Sequence, residues 1–298
     1  MELSGHTKPY AVLGHPICHS LSPRMHNAAF AALRMDAAYM AFDVEPARLM
    51  KVLPVMADMG FGGINLTVPL KEIAFRGLRK LDEPARKLGA VNTVEIGRAG
   101  LCGHNTDGPG FLSAIKETFG CGVKGASVFV AGAGGAGRAI AITCAMQKAG
   151  RVMLADVVPG KVRGVVDEIS RLVPSARVSA VSGEPAGWVG QAGEADLVVN
   201  ATPAGMHKGD KSPLSAGAFR EGQMAFDLVY MFPETVFMKA AAKAGARTAN
   251  GLGMLLHQGV LAFEIWTGVK PPVKVMREAL ESAVYGRMGT AASRHPKR

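Results

Sequence analysis

A chain of 298 residues, 48% hydrophobic and 19% charged, is long enough for two globular domains with cores of their own. It has no run of 18 apolar residues, and residues 1–10 lack the apolar centre of a signal peptide, so neither a membrane span nor secretion is expected. The net charge of +10 is scattered rather than interleaved with aromatic residues, which argues against a nucleic-acid partner and favours attraction of a small anionic metabolite.

Cysteine and histidine usage indicates a reduced, metal-free protein. The cysteines include no CxxC pair, which is typical of a cytoplasmic chain; they are Cys18, Cys102, Cys121 and Cys144. The histidines show no metal-ligand spacing, so no metal is expected and His26 is interpreted as structural; the others considered are His15, His19 and His104. The basic run 76–87 resembles a solvated helix face, and the tail 287–298 is predicted to be disordered.

Strand and helix patterns alternate along the first third of the chain. The helix that follows the first strand has Ser22 as its predicted N-cap and Pro23 at its first position. The predicted elements are a strand at 8–14, a helix at 23–34, a strand at 38–44, a helix at 46–59, a strand at 61–67, and a hairpin of 91–96 with 100–104.

A second unit is predicted to begin near residue 108. Its first elements are a helix at 108–119 and a strand at 126–131, and the apolar, helical segment 252–286 follows it. Further strands are predicted at 151–155, 177–181, 196–200, 223–228 and 246–249, with helices between them. This alternation predicts an α/β fold of two domains, one with a mixed, mostly parallel sheet and one of the doubly wound Rossmann type.

The segment Gly132-Ala133-Gly134-Gly135-Ala136-Gly137 satisfies the GxGxxG pattern in the required context, between a strand and an apolar helix. Gly132 permits the tight turn, Gly134 lets the backbone approach a pyrophosphate, and Gly137 lets the helix pack closely on the strand. The free N–H groups of the helix N-terminus then face the anion. The pattern therefore predicts a dinucleotide site, and a glycine-rich turn without a ligand is the alternative.

Asp156 ends the next strand, 19 residues after Gly137. A carboxylate there accepts hydrogen bonds from the ribose hydroxyls of NAD and repels the 2′-phosphate of NADP. The alternative is a turn aspartate, because Asp also favours turns such as the one before Pro159-Gly160. Lys161 and Arg163 lie nearby and would offset the repulsion, so the site takes NAD, which is favoured, or NADP.

Seven spaced segments together carry a family resemblance. They are 19–27 (HSLSPRMHN), 65–71 (NLTVPLK), 89–93 (GAVNT), 103–108 (GHNTDG), 200–203 (NATP), 227–230 (DLVY) and 251–258 (GLGMLLHQ). The set, in this order and between residues 8 and 285, resembles the shikimate dehydrogenases. The resemblance implies a substrate-binding and catalytic domain at 1–107, completed by C-terminal helices at 252–286, and a dinucleotide-binding domain at 108–251.

In that family a lysine and an aspartate carry the proton transfer, and the matching residues are Lys71 and Asp107. Lys71 lies in the expected first turn of a helix, where a cation opposes the dipole, so helix stability does not explain it. The resemblance implies that Lys71 donates and accepts the proton while Asp107 orients it. The alternatives are an exposed surface lysine and an N-cap of helix 108–119.

Other positions match the family's binding residues. Ser20 and Ser22 match the two serines that hold the substrate carboxylate, although Ser22 could serve the helix as its cap. The residues that match the polar surroundings of the substrate ring are Asn65, Thr67, Asn92, Tyr230 and Gln258. Those that match the cofactor side, besides 132–137 and Asp156, are Asn200, Thr202, Leu228 and Gly251.

The resemblance implies reversible NAD(P)-dependent reduction of 3-dehydroshikimate to shikimate, a step of the shikimate pathway to chorismate and the aromatic amino acids. The stretch 154–157 departs from NADP-specific members, because it lacks their arginine. An NAD-dependent enzyme of quinate catabolism is therefore the alternative, although Ser22 is the shikimate-type residue where some quinate-preferring relatives have threonine. An alternative of another class is a non-catalytic dinucleotide-binding protein, which would not need Lys71 and Asp107. As partners we expect a small-molecule substrate, with no nucleic acid and no membrane, and a monomer or homodimer.

Overall fold

The computed structural model describes residues 3–181 and 183–291, and for 287–291 only the backbone path. The chain forms two compact units, one made of 1–110 with 255–298 and the other of 111–254. None of the described helices is both long and apolar enough to cross a lipid bilayer. Of the tail predicted to be disordered, 287–291 continue the last helix, and 292–298 lie outside the described residues.

The sheet of the first unit is mixed. Its strands are β1 (Lys8–Gly14), β2 (Ala37–Asp43), β3 (Gly63–Leu66), β4 (Lys80–Leu81), β5 (Thr93–Gly97) and β6 (Gly100–His104), in the order β2-β1-β3-β5-β6-β4. β1 pairs in parallel with β2 and β3, whereas β5 runs antiparallel to β3 and β6. The predicted hairpin is present, and its two-residue turn joins β5 to β6.

The sheet of the second unit is entirely parallel. Its strands are β7 (Ser127–Ala131), β8 (Arg151–Ala155), β9 (Val178–Val181), β10 (Leu197–Asn200), β11 (Met224–Asp227) and β12 (Arg247–Asn250), in the order β12-β11-β10-β7-β8-β9. The chain winds outward from β7 in one direction and from β10 in the other, so the order reverses between these neighbours. Ligands of such sheets bind outside the carboxyl ends of the strands at this reversal. The predicted α/β fold is confirmed.

Helices connect the strands. They are α1 (Ser22–Ala32), α2 (Leu49–Asp58), α3 (Lys71–Gly77), α4 (Glu83–Leu88), α5 (Asp107–Phe119), α6 (Gly135–Met146), α7 (Pro159–Leu172), α8 (Val189–Glu194), α9 (Val236–Ala242), α10 (Leu252–Thr267) and α11 (Val273–Ala291). The interpretation of 76–87 as one helix face is wrong. α3 ends at Gly77, β4 pairs with β6, and Asp82 caps the start of α4 by accepting a hydrogen bond from the Ala85 N–H.

The core of the first unit includes a cluster of aromatic rings. Tyr10, Phe30 and Phe263 lie within 5.1 Å of a neighbouring ring, and Trp266 lies 5.5 Å from Tyr10. The Trp266 indole also donates a hydrogen bond of 3.1 Å to the Val94 carbonyl. Gly63 in β3 lies directly under the Trp266 ring, and a Cβ at this position would overlap it. The missing side chain of Gly63 therefore lets the indole pack flat on the sheet.

Gly63→Ala should destabilise the protein by about 1–3 kcal/mol, because the added methyl overpacks a rigid ring contact. The matched control is Gly164→Ala in α7, where an added Cβ meets no atom within 4 Å and should stabilise by ~0.5–1 kcal/mol. Urea unfolding of the three proteins measures both changes. Equal midpoints for Gly63→Ala and the wild type would show that the indole can move aside at no cost.

Candidate active site

Lys71 and Asp107 form an ion pair in the first unit. Lys71 is the first residue of α3, and its Nζ donates to Asp107 Oδ2 at 2.7 Å. The side chains are 28% and 16% exposed, so both are accessible but mostly sheltered. An exposed surface lysine does not match this environment. A sheltered ammonium next to an accessible carboxylate is an arrangement that can pass a proton to a bound ligand.

Asp107 does not cap α5, because the helix begins at Asp107 itself. Asn105, two residues earlier in the chain, has a side-chain oxygen that accepts a 3.0 Å hydrogen bond from the Asp107 N–H. The amide of Asn105 in turn donates to the Ala90 carbonyl at 2.9 Å, which fixes its orientation. The carboxylate of Asp107 is therefore not consumed by the helix and remains available to Lys71 and to a ligand.

Asn92 holds the second oxygen of that carboxylate. Its buried amide donates to Asp107 Oδ1 at 2.9 Å and to Thr106 Oγ1 at 2.9 Å. Its side-chain oxygen accepts from the Thr106 N–H at 2.8 Å. Gln258 of α10 approaches the same amide at 3.5 Å, and its own amide donates to the Leu255 carbonyl. The structure thus brings four predicted residues together: Lys71, Asn92, Asp107 and Gln258.

A second polar chain runs from Asn65 to Ser22. Asn65 donates to Thr93 Oγ1 at 3.0 Å and to the Asn92 carbonyl at 3.1 Å. Its oxygen accepts a 2.7 Å hydrogen bond from the Tyr39 hydroxyl. Burial raises the pKa of Tyr39 well above its usual value, and a hydrogen bond from Ser22 opposes that rise. Sequence reasoning missed Tyr39; the only signal was a tyrosine in an otherwise apolar strand, because a buried phenol needs a partner.

The prediction that Ser22 caps its helix is wrong. Ser22 is the first residue of α1, the cap position is Leu21, and no side chain caps this helix. Leu21 already has helical backbone angles, so the hydroxyl of Ser22 points to Tyr39 instead. Ser20 accepts a 3.4 Å hydrogen bond from the Ser22 N–H, which brings the two predicted serines together at the start of α1.

Thr67 and His26 both make packing contacts in the first unit. Thr67 is half-buried at the end of β3, and its methyl fills the space left by the missing side chain of Gly14. His26 is buried, stacks on Tyr39 at 4.4 Å, and has no hydrogen-bond partner on either ring nitrogen among the described residues. Burial lowers the pKa of His26 to about 3, so the ring is neutral. These contacts agree with a packing role for His26.

The glycine-rich loop of the second unit has the predicted geometry. Gly132 has φ +102°, and Gly137 packs against the Gly132 carbonyl so closely that any side chain would clash. Gly134 and Gly135 are exposed, with no atom within 4 Å of an added Cβ. The loop thus keeps its N–H groups accessible at the start of the 12-residue helix α6.

A cavity of about 350 Å³ opens beside this loop. Its lining includes Gly134, Gly135, Ala136, Thr202, Leu228 and Tyr230. The wall is mostly apolar, with accessible backbone N–H groups at one side, which suits a flat ring attached to a phosphate. The residues present therefore fit a nicotinamide dinucleotide. Tyr230, predicted on the substrate side, lies here in the second unit and is partly buried, which raises its pKa.

Asp156 serves the turn and remains available to a ligand. One oxygen accepts from the Ala133 N–H at 2.8 Å, and the other accepts from the Val158 N–H at 2.9 Å. A carboxylate has about four acceptor sites, so two remain for ribose hydroxyls. Val157 beside it is 60% exposed, and 157–160 contain no basic residue to bind an extra phosphate.

Asn200 and Gly251 support the loops that line the cavity. Asn200 is fully buried, donates to Asp227 Oδ1 at 2.8 Å, and accepts from the Thr202 N–H at 3.0 Å. Gly251 packs on the Leu228 carbonyl, where a Cβ would clash. Both residues were predicted on the cofactor side. Their contacts with neighbouring protein groups fix the positions of Thr202 and Leu228.

The chain is similar to known proteins over nearly its whole length. The model of the shikimate dehydrogenase substrate binding domain matches 12–94, and that of the shikimate 5′-dehydrogenase C-terminal domain matches 251–281. A relative from Methanopyrus kandleri, shikimate dehydrogenase (NADP(+)), is 40% identical over 94% of this chain and 97% of its own. The structure of shikimate 5-dehydrogenase from Listeria monocytogenes with shikimate and NAD is 34% identical, with a TM-score of 0.87 over 94% of this chain and 98% of that one. Quinate dehydrogenase from Corynebacterium glutamicum with NAD is 33% identical, with a TM-score of 0.85 over 93% and 99%.

Asp227, under the cavity loops, should make stability depend on pH. Burial raises its pKa from 3.8 to about 6, against the hydrogen bonds from Thr235, Val229 and Asn200. Between those values the folded state binds more protons than the unfolded state, so stability falls as pH rises from about 4 to about 6, by up to ~3 kcal/mol.

In the variant Asp227→Asn, the free energy of unfolding should lack this dependence on pH, because an amide does not titrate. Asp167→Asn, at an exposed position on α7, should keep the wild-type slope. Urea unfolding at a series of pH values measures all three. Parallel profiles for the wild type and Asp227→Asn would contradict the raised pKa.

Proposed function

The chain belongs to the shikimate dehydrogenase family of NAD(P)-dependent oxidoreductases, and we propose that it interconverts 3-dehydroshikimate and shikimate. The observation that carries this proposal is the Lys71–Asp107 pair, sheltered but accessible, with Asn92 on the second carboxylate oxygen. A protein that only bound dinucleotides would not need a proton donor held in this way. The second candidate function is the same type of reaction with quinate as the substrate and NAD as the cofactor.

The residues of the first unit supply the proton chemistry. A nicotinamide dinucleotide held at the glycine-rich loop 132–137 would supply the hydride for the reduction. The Lys71 ammonium donates its proton to the carbonyl oxygen, which becomes the hydroxyl, and the neutral amine takes that proton back in the oxidation. Asp107 orients the Lys71 ammonium through the 2.7 Å hydrogen bond between them, and it would accept a hydrogen bond from the substrate hydroxyl.

Ser20 and Ser22 are the proposed ligands of the substrate carboxylate. They stand together at the N-terminus of α1, an 11-residue helix with no side-chain cap, so its first N–H groups and its dipole favour an anion. The hydroxyl groups of the substrate ring would contact a group of polar side chains in the first unit, whose amides both donate and accept hydrogen bonds. Its members are Asn65, Thr67, Asn92 and Gln258.

Asp156 leads us to propose NAD rather than NADP as the preferred cofactor. The carboxylate has free acceptor sites for the ribose hydroxyls, and its charge opposes a 2′-phosphate. The Methanopyrus kandleri relative is named for NADP+, whereas the Listeria monocytogenes and Corynebacterium glutamicum structures contain NAD. The glycine loop accepts the pyrophosphate of either cofactor.

Asp156 gives some support to quinate as the substrate, because this residue favours NAD. The similar quinate dehydrogenase from Corynebacterium glutamicum also has a structure that contains NAD. Ser22 favours shikimate. Initial rates with shikimate and with quinate, each with NAD and with NADP, separate these candidates. The fastest turnover with shikimate and NAD would support the proposal, and the fastest turnover with quinate would transfer the chain to quinate oxidation.

We place the protein in the cytoplasm as a monomer or homodimer. All four cysteines are free, which suits a reducing compartment.

Lys71→Ala should lower kcat by about 10²–10⁴-fold with little change in the dissociation constant of shikimate, because the lysine acts on the proton and not on the carboxylate. Lys87→Ala is the control, since that lysine pairs with exposed Glu83 on α4 of the same unit. Steady-state kinetics and calorimetric titration measure the two quantities. A kcat close to that of the wild type would remove Lys71 from the reaction.

Asp156→Asn should raise the ratio of kcat/KM with NADP to kcat/KM with NAD by at least ~10-fold. Removal of one charge near the 2′-phosphate is worth up to ~4 kcal/mol at 4 Å, and partial exposure reduces that to about 1.4 kcal/mol or more. Asparagine can still accept from one backbone N–H, so the turn should persist. An unchanged ratio would mean that Asp156 serves only the turn.

A further inference from the structure

The β5–β6 hairpin places three metal-binding side chain types on one face. Glu95 pairs directly with Cys102, and Thr93 pairs with His104. Residues two apart on a strand share a face, so Glu95, Cys102 and His104 lie together. The intervening Gly103 faces the other way, where an added Cβ would meet Val91 and Leu81, so β6 is held against the core by that face.

The donor atoms of these three residues converge. Glu95 Oε2 lies 3.0 Å from His104 Nε2, and the carboxylate oxygen, the thiol sulfur and the imidazole nitrogen all lie within 4.8 Å of one another. In a tetrahedral zinc site with bonds of 2.0–2.3 Å, neighbouring ligand atoms stand roughly 3.3–3.8 Å apart. Small rotations of the three side chains would bring their donor atoms to the shorter separations of a zinc site. Within 3–181 and 183–291, this is the one group of three His, Cys, Asp or Glu residues whose donor atoms converge in this way.

We propose that Glu95, Cys102 and His104 bind one Zn²⁺ ion, with Asp82 as the residue that orients the imidazole. Thiolate, imidazole and carboxylate are the three ligand types of protein zinc sites, and three protein ligands leave a fourth position for water. The mixture of a soft sulfur with nitrogen and oxygen disfavours Mg²⁺ and Ca²⁺, which take oxygen ligands.

Asp82 has the position that a supporting residue of a zinc histidine requires. Its Oδ2 lies 3.1 Å from His104 Nδ1, on the side of the ring opposite Glu95. Its Oδ1 accepts a 2.6 Å hydrogen bond from the Ala85 N–H at the start of α4, which fixes the carboxylate. A carboxylate on Nδ1 leaves the lone pair of Nε2 facing the metal, as in carboxylate–histidine–zinc sites.

In the metal-free protein, hydrogen bonds from His104 to Asp82 and Glu95 raise the pKa of the imidazole, and burial, with the charges of Glu95 and Asp82, raises that of the Cys102 thiol. A thiol and an imidazole bind zinc only after they lose the proton on the ligand atom, so zinc binding would release protons to solvent.

The cluster is accessible to an ion from solution. The His104 side chain is 16% exposed and that of Glu95 is 43% exposed, while Cys102 is half-buried. The Asn92 N–H donates to the His104 carbonyl at 3.0 Å, so the metal would brace the strand end from which Asn105 and Asp107 follow. We therefore expect zinc to raise the melting temperature of the full chain.

The test uses full-length protein freed of metal with a chelator and titrated with Zn²⁺ by calorimetry. One ion per chain should bind to the wild type, and Cys102→Ser should weaken that affinity at least 100-fold. Asp82→Asn should weaken it about 10–100-fold, while asparagine keeps the cap of α4. Circular dichroism of each metal-free variant checks that it folds as the wild type does.

Two cysteine controls decide where zinc binds. Cys18→Ser removes the thiol that lies 3.1 Å from His19 Nδ1, and Cys121→Ser removes an exposed thiol of the second unit. Both should keep wild-type zinc affinity. Titration with Co²⁺ should give thiolate-to-metal charge-transfer absorption in the wild type and none in Cys102→Ser. Wild-type affinity in Cys102→Ser, loss of binding in either control, or no binding by the wild type would each overturn the proposal.

Discussion

One buried amide, that of Asn92, organises the site of the first unit. The side chain of a buried amide has two N–H donors and an oxygen to satisfy, and the partners of the Asn92 side chain include Thr93, Thr106, Asp107 and Gln258. Because it fixes one oxygen of Asp107, the other is left at 2.7 Å from Lys71. The position of the proposed proton donor therefore depends on a residue that itself stays below the surface.

In the second unit, too, a buried amide fixes the position of a carboxylate, next to the cavity. Asn200 is fully buried and joins the end of β10 to Asp227 at the end of β11. Asp227 in turn accepts from Thr235 and from the Val229 N–H, so one carboxylate anchors the loop that carries Leu228 and Tyr230. The exposed glycines above it need no side-chain support. In both units, contacts between a buried amide and a carboxylate hold the residues that a ligand would meet.

The sequence predicted the α/β class, the hairpin and every strand except β4, because alternation and periodicity are local properties. It also placed Lys71 in a first helical turn and Gly132 in a tight turn. Caps were less predictable. Ser22 has the residue type of an N-cap, yet Leu21 occupies that position, and Asp107 is the first residue of α5 rather than its cap. Capping depends on where the backbone enters the helix, which residue type alone does not determine.

The sequence by itself determined which chemistry is present: a lysine, a carboxylate, paired serines and a glycine-rich turn at spacings that identify the family. Tertiary structure alone decided which side chains meet. Tyr39 links Ser22 to Asn65 because separate elements bring them together. Cys102 and His104 showed no metal spacing along the chain, and only the strand register set them beside Glu95. The physical reason is that spacing governs neighbours within one element, whereas contacts between elements follow from pairing and burial.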